Sequence, residues 1–397
     1  MFFQFTISSL NDRNKGMKRG LVAIFLTVFF LAFGMSFVSP VLPLLLKKIG
    51  ASSASIGQIQ TSYFLSFTLT TLLLGRLIDK VGSKILIICG LFIFGMGFLV
   101  MPFLTGPSLF YLIRTIQGIG TALLFAPTEA AINIISPPDK RATNMGIYGV
   151  VFAVGFAIGP IIGTSLYAID FQMPFFFGSS CCLAAIMVLI FGYENIPVPV
   201  KKSEWGFSRL IGLLIVPLAA GACYAVVEVS IGTFLSLYLA ELGIWSKKIG
   251  IVFTVFAAGG IVSPYPAGKL ADKLGKVNVL KGCAVLLLIT TLSFNFFNSY
   301  LSICFLCFMV GLVAGALYPI ALAHIADIVT LDKMGRANAS FSFFYGLGCI
   351  AGPLITGWVI EFSSIKSMFY PMTFSTLGLV IIMFFHTSGK NENTGCD

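Results

Sequence analysis

Gly75-Arg76-Leu77-Ile78-Asp79-Lys80-Val81-Gly82 returns 193 residues later as Gly268-Lys269-Leu270-Ala271-Asp272-Lys273-Leu274-Gly275, with glycine, aspartate and glycine in register. The same shift carries Gly118 onto Gly311, and Gly155, Gly159 and Pro160 onto Gly348, Gly352 and Pro353. Special residues repeating at one fixed offset mark a duplicated chain, and parallel repeats of this size suit two halves that move against each other around a shared site.

The solvent of these halves follows from composition. Of 397 residues, 57% are hydrophobic and only 10% charged, with a mean hydropathy of +0.98. Such a chain cannot cover a buried core with a water-facing shell, so lipid must surround most of it. One helical crossing needs roughly 20 apolar residues, which leaves room for about twelve. Apolar segments fall near 21–46, 56–75, 85–104, 109–135, 143–168 and 173–192, then 210–240, 249–268, 279–297, 300–326, 337–360 and 368–386. The expected fold is all-α, with twelve transmembrane helices in two pseudo-symmetric six-helix bundles. The bundles are expected at 21–193 and 210–386, joined by a polar linker at 194–209 that holds Pro197, Pro199, Lys201, Lys202 and Glu204. Tails at 1–20 and 387–397 flank them. The apolar run from Leu21 is too long for the core of a cleaved signal peptide, and Met17, followed by Lys18 and Arg19, offers a second start.

A net charge of +10 reads as lysine and arginine retained on one membrane face, with no call for nucleic acid. With the amino terminus inside, nineteen basic residues fall on the inner segments and five, Lys47, Lys48, Lys247, Lys248 and Lys366, on the outer ones. Arg114 remains within the membrane. This asymmetry places both termini in the cytoplasm, and the short outer loops favour a bacterial inner membrane. The nine cysteines lie mostly in apolar stretches and read as packing residues; Cys304 and Cys307 form a lone CxxC without a partner pair, so no metal site or cofactor is expected.

Gly75, Asp79 and Gly82 form a loop similar to the signature loop of the major facilitator superfamily. The resemblance implies a cytoplasmic gate there and at Gly268, Asp272 and Gly275. Arg114, Gln117, Gly118 and Gly120 resemble the family's RxxQGxG element. A guanidinium in hydrocarbon costs roughly 2.5–3.5 kcal/mol on insertion scales, so it is kept for proton coupling or substrate orientation, or else snorkels outward. Gly155, Gly159, Pro160 and Gly163 resemble the antiporter motif of the family's exporters, although Thr164 stands where a second glycine is usual. Gly34, Pro40, Val41 and Pro43 look like an element of twelve-span drug exporters. Together these imply export of small organic molecules in exchange for protons by a monomer, with uptake or efflux of a specific metabolite, nutrient or siderophore as the alternative on the same fold.

Glu228 lies nearest the midplane, where desolvation favours its neutral form; it is the expected proton or cation site, against a purely structural hydrogen bond. Glu129 either pairs with Arg141 or lines the inner gate. His324 and Asp327 lie nearer the inner end of the tenth segment. Ser36, Tyr63, Tyr148, Tyr224, Tyr318 and Tyr345 fall on segments that line the cavity in this superfamily, and aromatic walls with one carboxylate suit a lipophilic or cationic molecule. No GxxxxGK[ST] phosphate loop is present, which disfavours an ATP-driven pump. In a cysteine-free background, single cysteines at Lys201 and Lys390 should react with an impermeant maleimide from the same membrane face, and one at Lys247 from the other.

Overall fold

The computed structural model describes residues 2–137, 140–194, 208–245, 247–330 and 333–392. The linker expected at 194–209 lies almost wholly outside them. Among the described residues the chain is helical, without a strand, as hydrocarbon requires of a polypeptide that must satisfy its own backbone polar groups.

The first bundle comprises α1 (Phe2–Val38), α2 (Leu42–Lys48), α3 (Ser53–Leu73), α4 (Gly75–Val81), α5 (Ser83–Val100), α6 (Ser108–Ile135), α7 (Arg141–Ile169) and α8 (Met173–Gly192). The second comprises α9 (Ser208–Glu241), α10 (Lys247–Val262), α11 (Pro264–Leu274), α12 (Lys276–Ser293), α13 (Tyr300–Ile328), α14 (Met334–Phe362) and α15 (Phe369–Glu392). Prolines account for two interruptions. The first crossing breaks at Ser39-Pro40-Val41 before restarting as α2 with Pro43 in its first turn, and the eighth breaks at Ser263 before Pro264.

Eleven helical stretches among the described residues are long and apolar enough to cross a membrane. The twelfth crossing, α3, has the length, with 21 residues, but carries Gln58, Gln60, Thr61 and Ser62. Its setting explains the polarity: α3 packs on α6 within its own bundle and on α14 across the bundle interface.

Each bundle repeats the other's packing. In the first, α1 rests on α7 and α8, and α6 on α3 and α5; in the second, α9 rests on α14 and α15, and α13 on α10 and α12. The 193-residue shift holds at the level of atoms. Gly155 abuts the carbonyl of Phe29 and the Cβ of Ala32, and Gly348 abuts the carbonyl of Ala222 and the Cβ of Ala225. The four positive-φ glycines, Gly50, Gly82, Gly243 and Gly275, form two pairs at the same shift. At Gly82 and Gly275, with φ of 84° and 87°, the chain turns from the short inner helix into the next crossing, in a conformation that a Cβ would oppose.

The bundles meet along two seams, α3 with α14 and α7 with α10. At each seam a glycine faces a proline carbonyl, Gly57 against Pro353 and Gly250 against Pro160, so each seam is the image of the other. Cross-bundle hydrogen bonds from Ala54 N to Glu361 Oε2 at 3.3 Å, Thr61 Oγ1 to the Ile350 carbonyl at 3.1 Å and Thr254 Oγ1 to the Ala157 carbonyl at 2.7 Å all lie toward the face opposite the termini. Toward the other face Glu129, in the last turns of α6, is exposed although it sits near Tyr318 of the opposite bundle. The cleft therefore opens toward the face bearing the termini. A side chain at Gly57 would strike the Pro353 carbonyl with no room to yield, so Gly57→Val should part the α3–α14 seam. A cysteine at Thr61 should then become reactive to an impermeant maleimide from the face opposite the termini, and stay protected when Gly57 is intact.

Candidate functional site

Glu228 projects from the middle of α9 into an aromatic pocket of the second bundle. Tyr345 donates to Glu228 Oε2 at 3.1 Å, and Tyr224, one turn before Glu228 on the same helix, also hydrogen-bonds the carboxylate. The Tyr224 and Tyr345 rings stack with centroids 6.0 Å apart. Tyr318 of α13 closes the group, its ring centroid 5.7 Å from Tyr224 and 5.5 Å from Tyr345, and Phe341 lies 5.1 Å beyond. The floor is Ala225, Val229 and Cys349, and Phe64 of α3 packs against it from the first bundle. Two phenol donors on one carboxylate, ringed by π faces, give a site that holds Glu228 either as an anion or as the neutral acid. The same walls attract an organic cation through ring quadrupoles as well as charge.

The first bundle places a cation where the second places its acid. Arg114 is 6% exposed and does not snorkel. Nη2 donates to Gln60 Oε1 at 2.6 Å and Nη1 to Gln117 Oε1 at 3.1 Å, while the guanidinium carbon lies 4.0 Å from the centre of the Tyr63 ring. Gln117 is fixed in turn by donating to the Phe94 carbonyl at 3.0 Å, and Tyr63 by a hydroxyl–hydroxyl hydrogen bond with Thr121 at 3.0 Å. Among the described residues no carboxylate lies within ion-pair distance of Arg114, and its Nε has no partner. Amide oxygens and a π face thus stand in for a counter-anion. Gln60, Tyr63 and Arg114 form one side of the midplane, next to Phe64 and Cys349 of the site on the other.

The remaining expected residues are spread more widely. Glu129 takes a hydrogen bond from Tyr148 of α7, with no ion pair to Arg141 among the described residues. Ser36 is fully buried in the α1–α7 contact, donating to the Phe33 carbonyl at 2.8 Å beside Gly159. Gly155, Gly159 and Gly163 all bring α7 onto α1, whereas the Pro160 carbonyl faces Gly250 across the α7–α10 seam. One helix thereby serves an internal contact on one side and the bundle interface on the other. The side chain of Asp79 and its neighbours Gly75 and Arg76 lie outside the described side chains. In the second bundle Asp272 is exposed, and the neighbouring charge contact is Lys276 Nζ to Asp327 Oδ1 at 2.7 Å, joining α12 to α13 beside Gly275. The eight described cysteines are free thiols.

Two helix bundles that repeat one another's packing, an intramembrane cleft open to one face and a carboxylate among tyrosines define a membrane transporter. The chain belongs to the Major Facilitator Superfamily, whose family model matches residues 24–244 and 217–394. Similar proteins include multidrug resistance protein 2 of Bacillus subtilis, 26% identical over 385 residues with 92% of this chain and 94% of that protein covered. The quinolone resistance protein NorA of Staphylococcus aureus is 25% identical over 381 residues, covering 92% and 96%. Among solved structures, a bacterial homologue of the human lysosomal transporter Spinster, in an inward-facing and occupied conformation, gives a TM-score of 0.75 at 13% identity, covering 93% of this chain and 94% of that one. The nucleoside transporter NupG gives 0.72 at 14% identity, covering 92% and 98%. At those identities the two structures speak for the fold alone.

Replacing Arg114 by lysine keeps a charge but loses the fork that grips Gln60 and Gln117. Arg114→Lys should lower the unfolding free energy in detergent by about 1–3 kcal/mol, read as an earlier thermal transition, with Gln60→Leu falling in the same direction.

Proposed function

We propose that this protein exports small organic molecules, lipophilic or cationic, in exchange for protons, by alternating access of the two bundles from a cytoplasmic membrane with both termini inside. The observation that carries the reading is the setting of Glu228: one carboxylate, held by two tyrosine hydroxyls within a cluster of three tyrosine rings, at the cleft between the bundles. Such a group holds a proton or a cation and cannot hold both, because protonation removes the charge that attracts the cation. Exchange follows from that exclusion. A cation arriving from the open side meets a protonated Glu228 and displaces its proton to that side; a proton arriving from the opposite side then protonates the carboxylate and displaces the cation. The names of the drug-resistance relatives, and the asymmetry of basic residues between the two faces, support the direction and the sidedness.

The other expected residues take roles within this scheme. Tyr224, Tyr318 and Tyr345 form the cargo wall, with Tyr63 and Tyr148 continuing it into the first bundle, and Ser36 sets the spacing of α1 on α7. Arg114 contributes to coupling from the first bundle, across the midplane from the Glu228 pocket, while Glu129 stands at the mouth through which protons leave. Gly155, Gly159, Pro160 and Gly163 let α7 stay fixed to α1 while its other face parts from α10. Gly75, Asp79 and Gly82, with Gly268, Asp272 and Gly275, form the inner latch that must close when the outer seams open.

Glu228→Gln removes the exchangeable proton and keeps the hydrogen bonds of a neutral acid. In proteoliposomes, imposing a pH gradient should accelerate transport of a lipophilic cation by the wild type. The variant should transport at one rate with or without the gradient, and a Glu228→Gln protein that retains the wild-type acceleration would remove this residue from the coupling.

A further inference from the structure

Glu129 is distinct from the central site in a way that points to cargo. It is exposed in the inner part of α6, receives the Tyr148 hydroxyl, and lies within electrostatic range of Tyr318, which belongs to the opposite bundle. Tyr318 is within electrostatic range of Glu228 as well, and its ring packs on Tyr224 and Tyr345 of the central pocket. The Tyr318 hydroxyl thus lies within electrostatic range of two carboxylates, one from each bundle. Tyr148 also lies within electrostatic range of Tyr318, so the vestibule carboxylate stands beside a pair of phenol rings.

We propose that Glu129, Tyr148 and Tyr318 form a vestibule subsite that captures an organic cation before it reaches Glu228. This rests on the exchange reading above. The cargo it suits is a monocation with apolar substituents. Charge attraction to an exposed carboxylate provides capture, ring faces provide contact, and the Tyr318 ring shared by both sites gives a continuous path from one carboxylate to the next. The central pocket would then be loaded from a local store of cation and not from bulk solution.

Tetraphenylphosphonium, which is permanently charged and has no proton to donate, is the probe. Its binding to the purified full-length protein in lipid nanodiscs, and its counterflow into proteoliposomes, separate the two sites. Glu228→Gln should leave a weaker residual binding, and adding Glu129→Gln should weaken it by about a further tenfold. In the otherwise wild-type chain, Glu129→Gln should raise the counterflow KM about fivefold to tenfold; Glu129→Asp should recover part of that loss, and Tyr318→Phe should keep the affinity because the ring remains. Residual binding in Glu228→Gln that is indifferent to Glu129→Gln, no residual binding at all, or an unchanged KM would overturn the subsite and leave the central reading standing. Failure of the wild type to bind or move the cation would overturn both.

Discussion

Two glycine-to-carbonyl contacts, Gly57 on Pro353 and Gly250 on Pro160, constrain everything else in this protein. In lipid no hydrophobic force draws helices together, so bundles that must part and rejoin are held by close backbone approach and a few hydrogen bonds. Only a residue without a side chain permits that approach, and a proline facing it locks one helix's shape at the point of contact. The two contacts are images of each other, so both seams are closed in the same way. The three cross-bundle hydrogen bonds beside them sit toward the same face, leaving the opposite end of the cleft open to water.

That geometry accounts for where charge is tolerated. A buried ionisable group in hydrocarbon must be paired or functional, and the chain divides the two cases between its halves. Arg114 is stabilised by Gln60, Gln117 and the Tyr63 face, a neutral cage that keeps a permanent charge in place. Glu228 is surrounded by donors that tolerate either protonation state. A cation held by neutral partners and an acid held among tyrosines thus lie in separate bundles.

Much of this was legible in the residues themselves, for physical reasons. Helical crossings announce themselves because hydrocarbon imposes length and apolarity, and eleven of the twelve meet both demands outright. The repeat was visible because glycine and proline at packed contacts leave little freedom to vary. Glu228 and Arg114 stood out because charge in an apolar run is costly. The partners did not stand out. Gln60 lies 54 positions from Arg114, and Tyr345 lies 117 positions from Glu228; no helical spacing links such pairs, so only the packing of separate helices reveals them. Ser36 read as a cavity residue from its segment alone, whereas helix rotation turns it into the α1–α7 contact. Gly57 and Gly250 also share the 193-residue shift. A search for every glycine pair at that offset would have exposed the bundle seams, which are the one feature of the interface that sequence can carry.

The central claim is that the bundles rock as rigid bodies about the midplane. Spin labels on either side of the α7–α10 seam test it directly, with one pair at Ala168 and Trp245, which line the same outer cavity, and a second at Thr143 of α7 and Tyr265 of α11 toward the other face. Pulsed electron resonance across a series of pH values, with and without a lipophilic cation, should show the two distances changing in opposite senses, the outer lengthening as the inner shortens. Distances that rise and fall together, or an inner pair that moves while the outer stays fixed, would contradict the account.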